Sequence, residues 1–139
     1  MYRMHISFMA FVVATALVGC SSLQPKPPEE VIAERALAQA RYLIDSDYES
    51  ALQYVVPSYQ NSARSRFYEA DFTGSDTWTE AEVGRIRCDE GLAPDRCEVR
   101  LLVYGGPAAV LGSSRGFNEP WTWDMVWIKI DGEWYQFLD

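Results

Sequence analysis

Asp124 is the residue whose surroundings in the sequence point most clearly to acid–base chemistry. It lies between Trp123 and Met125, inside an apolar segment that predicts a β-strand. If its carboxyl group points into an apolar cavity, its pKa should rise, and it could then accept a proton from a bound molecule. The alternative, which we favour, is that Asp124 faces solvent or pairs with Arg100 or Arg115 across the sheet.

Arginine and tryptophan side chains offer two further kinds of site. Five arginines could together bind an anion, although such a row is more often a solvated face that is paired with nearby glutamates. The tryptophans could stack on sugar rings, although packing in a core or an interface is their commoner use. The arginines are Arg64, Arg66, Arg85, Arg87 and Arg100, the nearby glutamates are Glu80, Glu82 and Glu98, and the tryptophans are Trp78, Trp121, Trp123, Trp127 and Trp134.

The N-terminal residues have the pattern of an export signal. Arg3 precedes a run of apolar and small residues at positions 8–18. This run is too short to span a bilayer, which takes about 20 apolar residues, and it predicts a signal peptide at residues 1–19. It leads into Leu17-Val18-Gly19-Cys20, which resembles the lipobox of bacterial lipoproteins. The resemblance implies cleavage before Cys20, a thioether between the Cys20 sulfur and diacylglycerol, a new amino group open to acylation by a palmitate-type chain, and attachment to a membrane.

The residues after the lipobox predict where the chain resides. Ser21 and Ser22 follow the cysteine, whereas in enterobacteria an aspartate there commonly keeps a lipoprotein in the inner membrane. We therefore expect the cell envelope, and in a cell with two membranes the outer one, with the domain facing the periplasm. Residues 20–28 contain three prolines and predict an extended tether, so one globular domain is expected at residues 29–139.

The lipoprotein resemblance also implies which reactive side chains remain after processing. The single histidine, His5, would be removed with the signal peptide, leaving no serine–histidine or cysteine–histidine pair and no histidine ligand for a metal. We therefore expect no cofactor and no metal. Lipidation of Cys20 would leave Cys88 and Cys97, which flank a loop rich in turn formers, and an exported compartment permits their disulfide. A metal pair or a reactive thiol is the alternative.

Composition excludes some partners. The net charge of −8 argues against binding to nucleic acid or to anionic lipid headgroups. Hydrophobic residues make up 48% of the chain and aromatic residues 14%, which is enough for a packed core.

The predicted elements that position these side chains are helices in the first half of the domain and strands in the second half. Periodicity predicts helices at residues 29–45, 47–55 and 58–70, and strands at 78–88, 97–104, 121–130 and 134–138, with a short strand at 108–111. An S-x-x-E box at Ser46 and Glu49 predicts the start of the second helix, and Asp131-Gly132 predicts a hairpin.

Alternation leaves two apolar faces on the predicted sheet. One carries Val126, Ile128 and Ile130; the other carries Trp123, Met125 and Trp127, with Trp134 on the next strand. Three small helices can cover one face, and the second could be a ligand cavity, a partner surface or a homodimer interface. We take the tryptophan-rich face, Trp123, Met125, Trp127 and Trp134, as the candidate binding face.

Two segments resemble the nuclear transport factor 2-like (NTF2-like) superfamily. Residues 43–51 (LIDSDYESA) are similar to its joint between helices, and residues 126–135 (VWIKIDGEWY) are similar to its final hairpin. The resemblance implies an α+β domain in which N-terminal helices pack on a curved, cone-like antiparallel sheet. Superfamily enzymes include isomerases and dehydratases that place an acid or base in the cone, for which Asp71, Asp124, Tyr104 and Tyr68 are the candidates here.

No set of polar side chains converges in the sequence, so we assign no catalytic residue. We expect a non-catalytic binding or assembly module that uses a sheet face to bind an envelope partner or a second copy. The alternative is a small carrier, or an isomerase- or dehydratase-like enzyme, with an apolar ligand in the cone.

Overall fold

A long helix begins the folded region, in the place that the periodicity predicted. The structure is a computed structural model that describes residues 25–91, 93–105 and 119–139. Helix α1 spans Pro28–Ile44, with proline in its first turn beside Glu29 and Glu30. One stripe of the helix is buried; its members are Ile32, Ala36, Gln39, Ala40 and Leu43.

The second predicted helix is shorter than expected. Helix α2 spans Tyr48–Leu52, and its cap is Asp47, whose carboxylate accepts a hydrogen bond from the Ser50 amide at 3.1 Å. Ser46 instead has a φ of 59° and turns the chain out of α1, so the predicted capping box is wrong.

The single helix predicted at 58–70 is wrong. The structure has α3 (Pro57–Gln60), a 3₁₀ turn (Ala63–Phe67) and α4 (Tyr68–Asp71). The hydroxyl of Ser62 donates to the Tyr59 carbonyl at 2.7 Å and accepts from the Arg64 amide at 3.1 Å. These local side-chain bonds replace the bonds that a continuous helix would make.

Within the described residues, four antiparallel strands follow in the order β1-β2-β3-β4. They are β1 (Trp78–Cys88), β2 (Arg96–Gly105), β3 (Trp121–Ile130) and β4 (Glu133–Gln136). The first and third match the predicted bounds, and the last is shorter than predicted. Asp131 and Gly132 both have positive φ, 51° and 90°, which confirms the two-residue hairpin. The strand predicted at 108–111 lies outside the described residues.

The two edges of this sheet differ in whether another segment of the chain pairs with them. The chain after α2 pairs with β4, where the Val56 amide donates to the Gln136 carbonyl at 2.9 Å and the Gln136 amide donates to the Tyr54 carbonyl at 2.7 Å. Among the described residues, β1 pairs only with β2.

The side of the sheet that packs against α1, here called the inner face, carries the core. Met125, Trp127 and Trp134 are buried there in the same core cluster as the α1 stripe, and the half-buried Trp123 packs against that cluster. The candidate binding face predicted from the tryptophans is therefore corrected: Met125, Trp127 and Trp134 have almost no accessible surface for a partner, and Trp123 packs on Phe72 and Trp78. The strand-to-strand register puts the following residues on the opposite, outer face: Glu98, Arg100, Asp124, Val126, Ile128 and Tyr135.

Candidate functional site

An ion pair lies at the centre of the outer face. Arg100 of β2 and Asp124 of β3 are opposite each other in the register. The guanidinium donates from Nε to Oδ1 at 2.6 Å and from Nη2 to Oδ2 at 2.9 Å. This two-pronged geometry fixes both side chains across the sheet.

The pair decides the role of Asp124. Its hydrogen bond with Arg100, and the nearby charges of Arg100 and Arg85, lower the pKa of Asp124, while the same hydrogen bond raises the pKa of Arg100. The carboxyl group is exposed rather than inside an apolar cavity. The hypothesis of a proton acceptor with a raised pKa is therefore wrong, and the alternative of an ion pair with Arg100 is correct. Arg115, the other partner considered, lies outside the described residues.

A shallow groove of about 280 Å³ surrounds this ion pair. Its polar wall is Arg85, Glu98, Arg100 and Asp124, and its apolar wall includes Val126. Arg85 lies opposite Arg100 but has no ion pair with a described side chain. Of the five arginines in the anion-site hypothesis, the register places three on the outer face, with Arg85 opposite Arg100 and Arg87 opposite Glu98. Arg64 and Arg66 lie in the 3₁₀ turn instead.

An apolar strip adjoins the groove on the β3–β4 side. It consists of Val126, Ile128, Ile130, Tyr135 and Phe137. The first four are half-buried, and Phe137 is one of the largest exposed apolar side chains, with 46% of its surface accessible. Charged groups and accessible apolar groups thus share one face, as in many sites that bind protein.

The other acid–base candidates do not join Asp124. Asp71 is exposed at the end of α4, where it accepts a hydrogen bond from the Tyr59 hydroxyl at 3.1 Å. Burial, and then this bond, raises the pKa of Tyr59. Tyr104 donates to Glu82 on the outer face at 3.2 Å, and desolvation together with this bond raises the pKa of Tyr104. Each candidate therefore has a separate partner, and no shared proton-transfer site forms among them.

A buried polar cluster was missed by the sequence reasoning. Gln39 of α1 donates through Nε2 to the Tyr68 hydroxyl at 3.0 Å and to Gln136 Oε1 at 2.6 Å. All three side chains are buried, and burial raises the pKa of Tyr68 well above its usual range. The signal was present, because Gln39 lies between Ala36 and Leu43 on the apolar stripe of α1. Within the described structure, Gln39 Oε1 has no hydrogen-bond partner.

The disulfide prediction is confirmed. Cys88 and Cys97 are opposite each other in the β1–β2 register and form a bond between their sulfur atoms. The bridge closes a short loop between β1 and β2. On the chain-entropy model, closing a loop of this size adds about 2–3 kcal/mol to the free energy of unfolding.

Two features are absent from residues 25–91, 93–105 and 119–139. No helix there has both the length and the apolar character needed to span a bilayer. No group of three or more acidic, cysteine or histidine side chains is arranged there as a metal site.

The chain matches no protein-family model and no curated protein sequence. It is similar to solved structures, among them a Campylobacter jejuni protein described as a candidate NTF2-like transpeptidase, with 17% identity, a TM-score of 0.45, and coverage of 82% of this chain and 100% of that one. A Psychrobacter arcticus protein containing a sec-C motif has 11% identity and a TM-score of 0.53, covering 78% of this chain and 59% of that one. This chain thus spans about three fifths of the second protein.

At such identities a structural likeness concerns the fold alone. Over the part of the chain that the structure describes, the fold is α+β, with helices packed on a four-stranded antiparallel sheet.

Proposed function

We propose that this protein is an envelope lipoprotein, anchored through Cys20, whose domain is a non-catalytic module that binds another envelope protein. The observation that carries the proposal is the contrast between the faces of the sheet. The inner face is closed by packing, and the outer face offers a charged groove beside an accessible apolar strip. The domain binds through this outer face.

The position of the carboxylates supports binding over catalysis. An enzyme of the cone type needs an acid or base inside an apolar pocket. Here Asp71 and Asp124 are at the surface and already hydrogen-bonded. Asp124 therefore acts as one half of a structural ion pair that shapes the groove.

The NTF2-like assignment is part of the same proposal. Its support is the joint between α1 and α2, which the motif at residues 43–51 predicted, and the β3–β4 hairpin at Asp131-Gly132. The function does not depend on it, because the same fold can serve unrelated purposes.

The anchor is tested by mass spectrometry of the full chain purified from its native membrane. We expect an N-terminus at Cys20 that carries acyl chains, and a Cys20→Ser variant that is neither cleaved nor acylated. An intact Met1, or a free thiol at Cys20 in the native protein, would refute the anchor. The proposed location, an outer membrane with the domain facing the periplasm, is tested by separating the membranes on a density gradient.

The binding face is tested with two exposed phenylalanines. Phe137 is 46% exposed on the outer face, whereas Phe67 is 57% exposed on the 3₁₀ turn. The same change, Phe→Glu, is made at each position, and the lipidated protein is crosslinked in the envelope before purification. We expect Phe137→Glu to lose a crosslinked partner that Phe67→Glu retains. Equal partner recovery from both variants would exclude the outer face.

The buried polar cluster favours a second candidate function, a carrier of a small apolar ligand. Gln39, Tyr68 and Gln136 are buried together inside the domain, and Gln39 Oε1 lacks a partner among the described residues, which leaves one polar atom for a bound molecule to satisfy. Native mass spectrometry of the purified full chain separates the two functions. A co-purifying small molecule that Gln39→Leu releases would support the carrier.

A further inference from the structure

The free edge of β1 has a charge pattern that suits a second copy of this chain. Strand β1 is eleven residues long and ends the sheet, so its outward backbone groups have no strand partner among the described residues. Such an edge is either protected or used for pairing. The opposite edge, at β4, is already covered by the bridge between Val55 and Gln136.

The charges of β1 are divided by sign on either side of Gly84. Glu80 and Glu82 precede this glycine, and Arg85 and Arg87 follow it. A register shift at Gly84 moves the strand by one residue, so all four exposed side chains lie on the outer face. On the inner side Ala81, Val83 and Ile86 are partly buried against the core. Without the shift, the two signs would lie on opposite faces.

These four charges form no ion pair with any described side chain of their own chain. The other outer-face arginines differ: Arg100 is paired with Asp124, and Arg96 lies 3.2 Å from Glu98 and 3.5 Å from Asp89. Glu82 accepts one neutral hydrogen bond, from Tyr104. The charges left over are thus two negative and two positive, and they are symmetrically spaced.

We propose that two copies pair through their β1 edges, antiparallel, about a two-fold axis between Val83 and Gly84. This register places Glu80 opposite Arg87 of the second copy, and Glu82 opposite Arg85 of the second copy. Every pair occurs twice, because a two-fold contact is self-complementary. Opposite charges facing each other across strands stabilise pairing, and like charges oppose it.

The inner side and the backbone fit the same register. Ala81 lies opposite Ile86 of the second copy, so one apolar side chain faces another. The Asp89 amide donates to the Arg96 carbonyl at 3.0 Å, and because ladder bonds alternate along a strand, the Ile86 amide points to the free edge. Gly84, at the axis, has no side chain that would hold the two strands apart. Any other residue there would place its Cβ 3.1 Å from Leu102 Cγ, which is a tight contact.

Anchoring both copies in one membrane would favour this contact, since confinement raises their effective concentration. That advantage rests on the proposed lipid anchor, but the pairing itself does not. A failure of the anchor would show in the mass of Cys20, whereas a failure of the pairing would show in the molecular mass of the particle.

The test is sedimentation equilibrium of the full-length chain in density-matched detergent over a concentration series. We expect a reversible dimer that 0.5 M salt weakens by about tenfold, because exposed ion pairs are screened. A monomer at every concentration, or a dimer insensitive to salt, would overturn the proposal. This measurement on the wild type needs no variant to fold.

Charge exchange sharpens the test. Glu80→Arg with Glu82→Arg, or Arg85→Glu with Arg87→Glu, should each weaken the dimer about a hundredfold or more, because like charges then face each other. Mixing the two variants should restore a dimer near wild-type affinity, which misfolded chains could not do. Dimers of either variant alone at wild-type affinity, or no recovery on mixing, would contradict the register.

Hydrogen exchange separates an edge contact from a contact between outer faces. The Ile86 amide should exchange at least about tenfold more slowly in the wild-type dimer than in the dissociated charge variants, because it gains a strand partner. Equal exchange in the two states would overturn the edge arrangement.

Discussion

The two faces of the sheet are built from the same alternating strands, but only the inner face is packed into the core. On β3, Trp127 is completely buried on the inner face, whereas its neighbour Ile128 is only partly buried on the outer face. Both positions are apolar, so hydropathy alone does not separate them. The difference shows that the location of α1, and not the apolar character of a strand residue, determines which side of this sheet is core.

The largest effect should come from breaking the inner face. Trp127→Ala removes a fully buried indole and should cost about 3–5 kcal/mol in the free energy of unfolding. Ile128→Ala, one residue away on the outer face, should cost only about 1 kcal/mol. Urea denaturation of the two variants measures both values. Similar losses would mean that the outer face is as well packed as the inner one, which would remove the basis for a docking surface.

A smaller effect is expected from the polar cluster inside the core. Gln39→Leu leaves the Tyr68 hydroxyl and Gln136 Oε1 without their partner, and should cost about 1–3 kcal/mol. Combining Gln39→Leu with Tyr68→Phe and Gln136→Leu removes the unpaired groups and should recover much of that loss. Urea unfolding of the single and triple variants provides the comparison. If the triple variant is no more stable than Gln39→Leu, the loss does not come from unpaired polar atoms. The cluster would then stabilise the fold in another way, such as by its packing.

The parts of the fold that were predictable have strong local signals. Helix α1 begins at a proline and follows one apolar stripe, and the β3–β4 hairpin follows Asp131-Gly132. The region at 58–70 has a helical pattern too, but Ser62 bonds to nearby backbone groups and breaks it. Such competition between local bonds is not visible in periodicity.

The candidate site was predictable only in part. The sequence offers Arg100 and Arg115 as partners for Asp124 across the predicted sheet, and the structure selects Arg100. Alternation does not show which apolar face α1 covers, so the prediction of the tryptophan-rich face as the binding face is wrong. The polar cluster depends on contacts between Gln39 and Gln136, which are 97 residues apart, and one sequence does not reveal such pairs.

The smallest effect should come from the ion pair on the outer face. The pKa of Asp124 is lowered in the folded chain from its ordinary value of 3.8, so the pair adds stability when the pH lies above that value. This contribution disappears as the pH falls through the lower folded pKa, because the carboxyl group then becomes protonated. Asp124→Asn should therefore be slightly less stable than the wild type at pH 7. Urea midpoints of the two proteins, measured at intervals from pH 7 to pH 2, should converge at the acid end.

Because Asp124 is exposed, solvent screens the interaction and the effect should be smaller than that of either core variant. A gap between the two proteins that persists at pH 2 would mean that Asp124 supports the outer face through packing, and not through its charge.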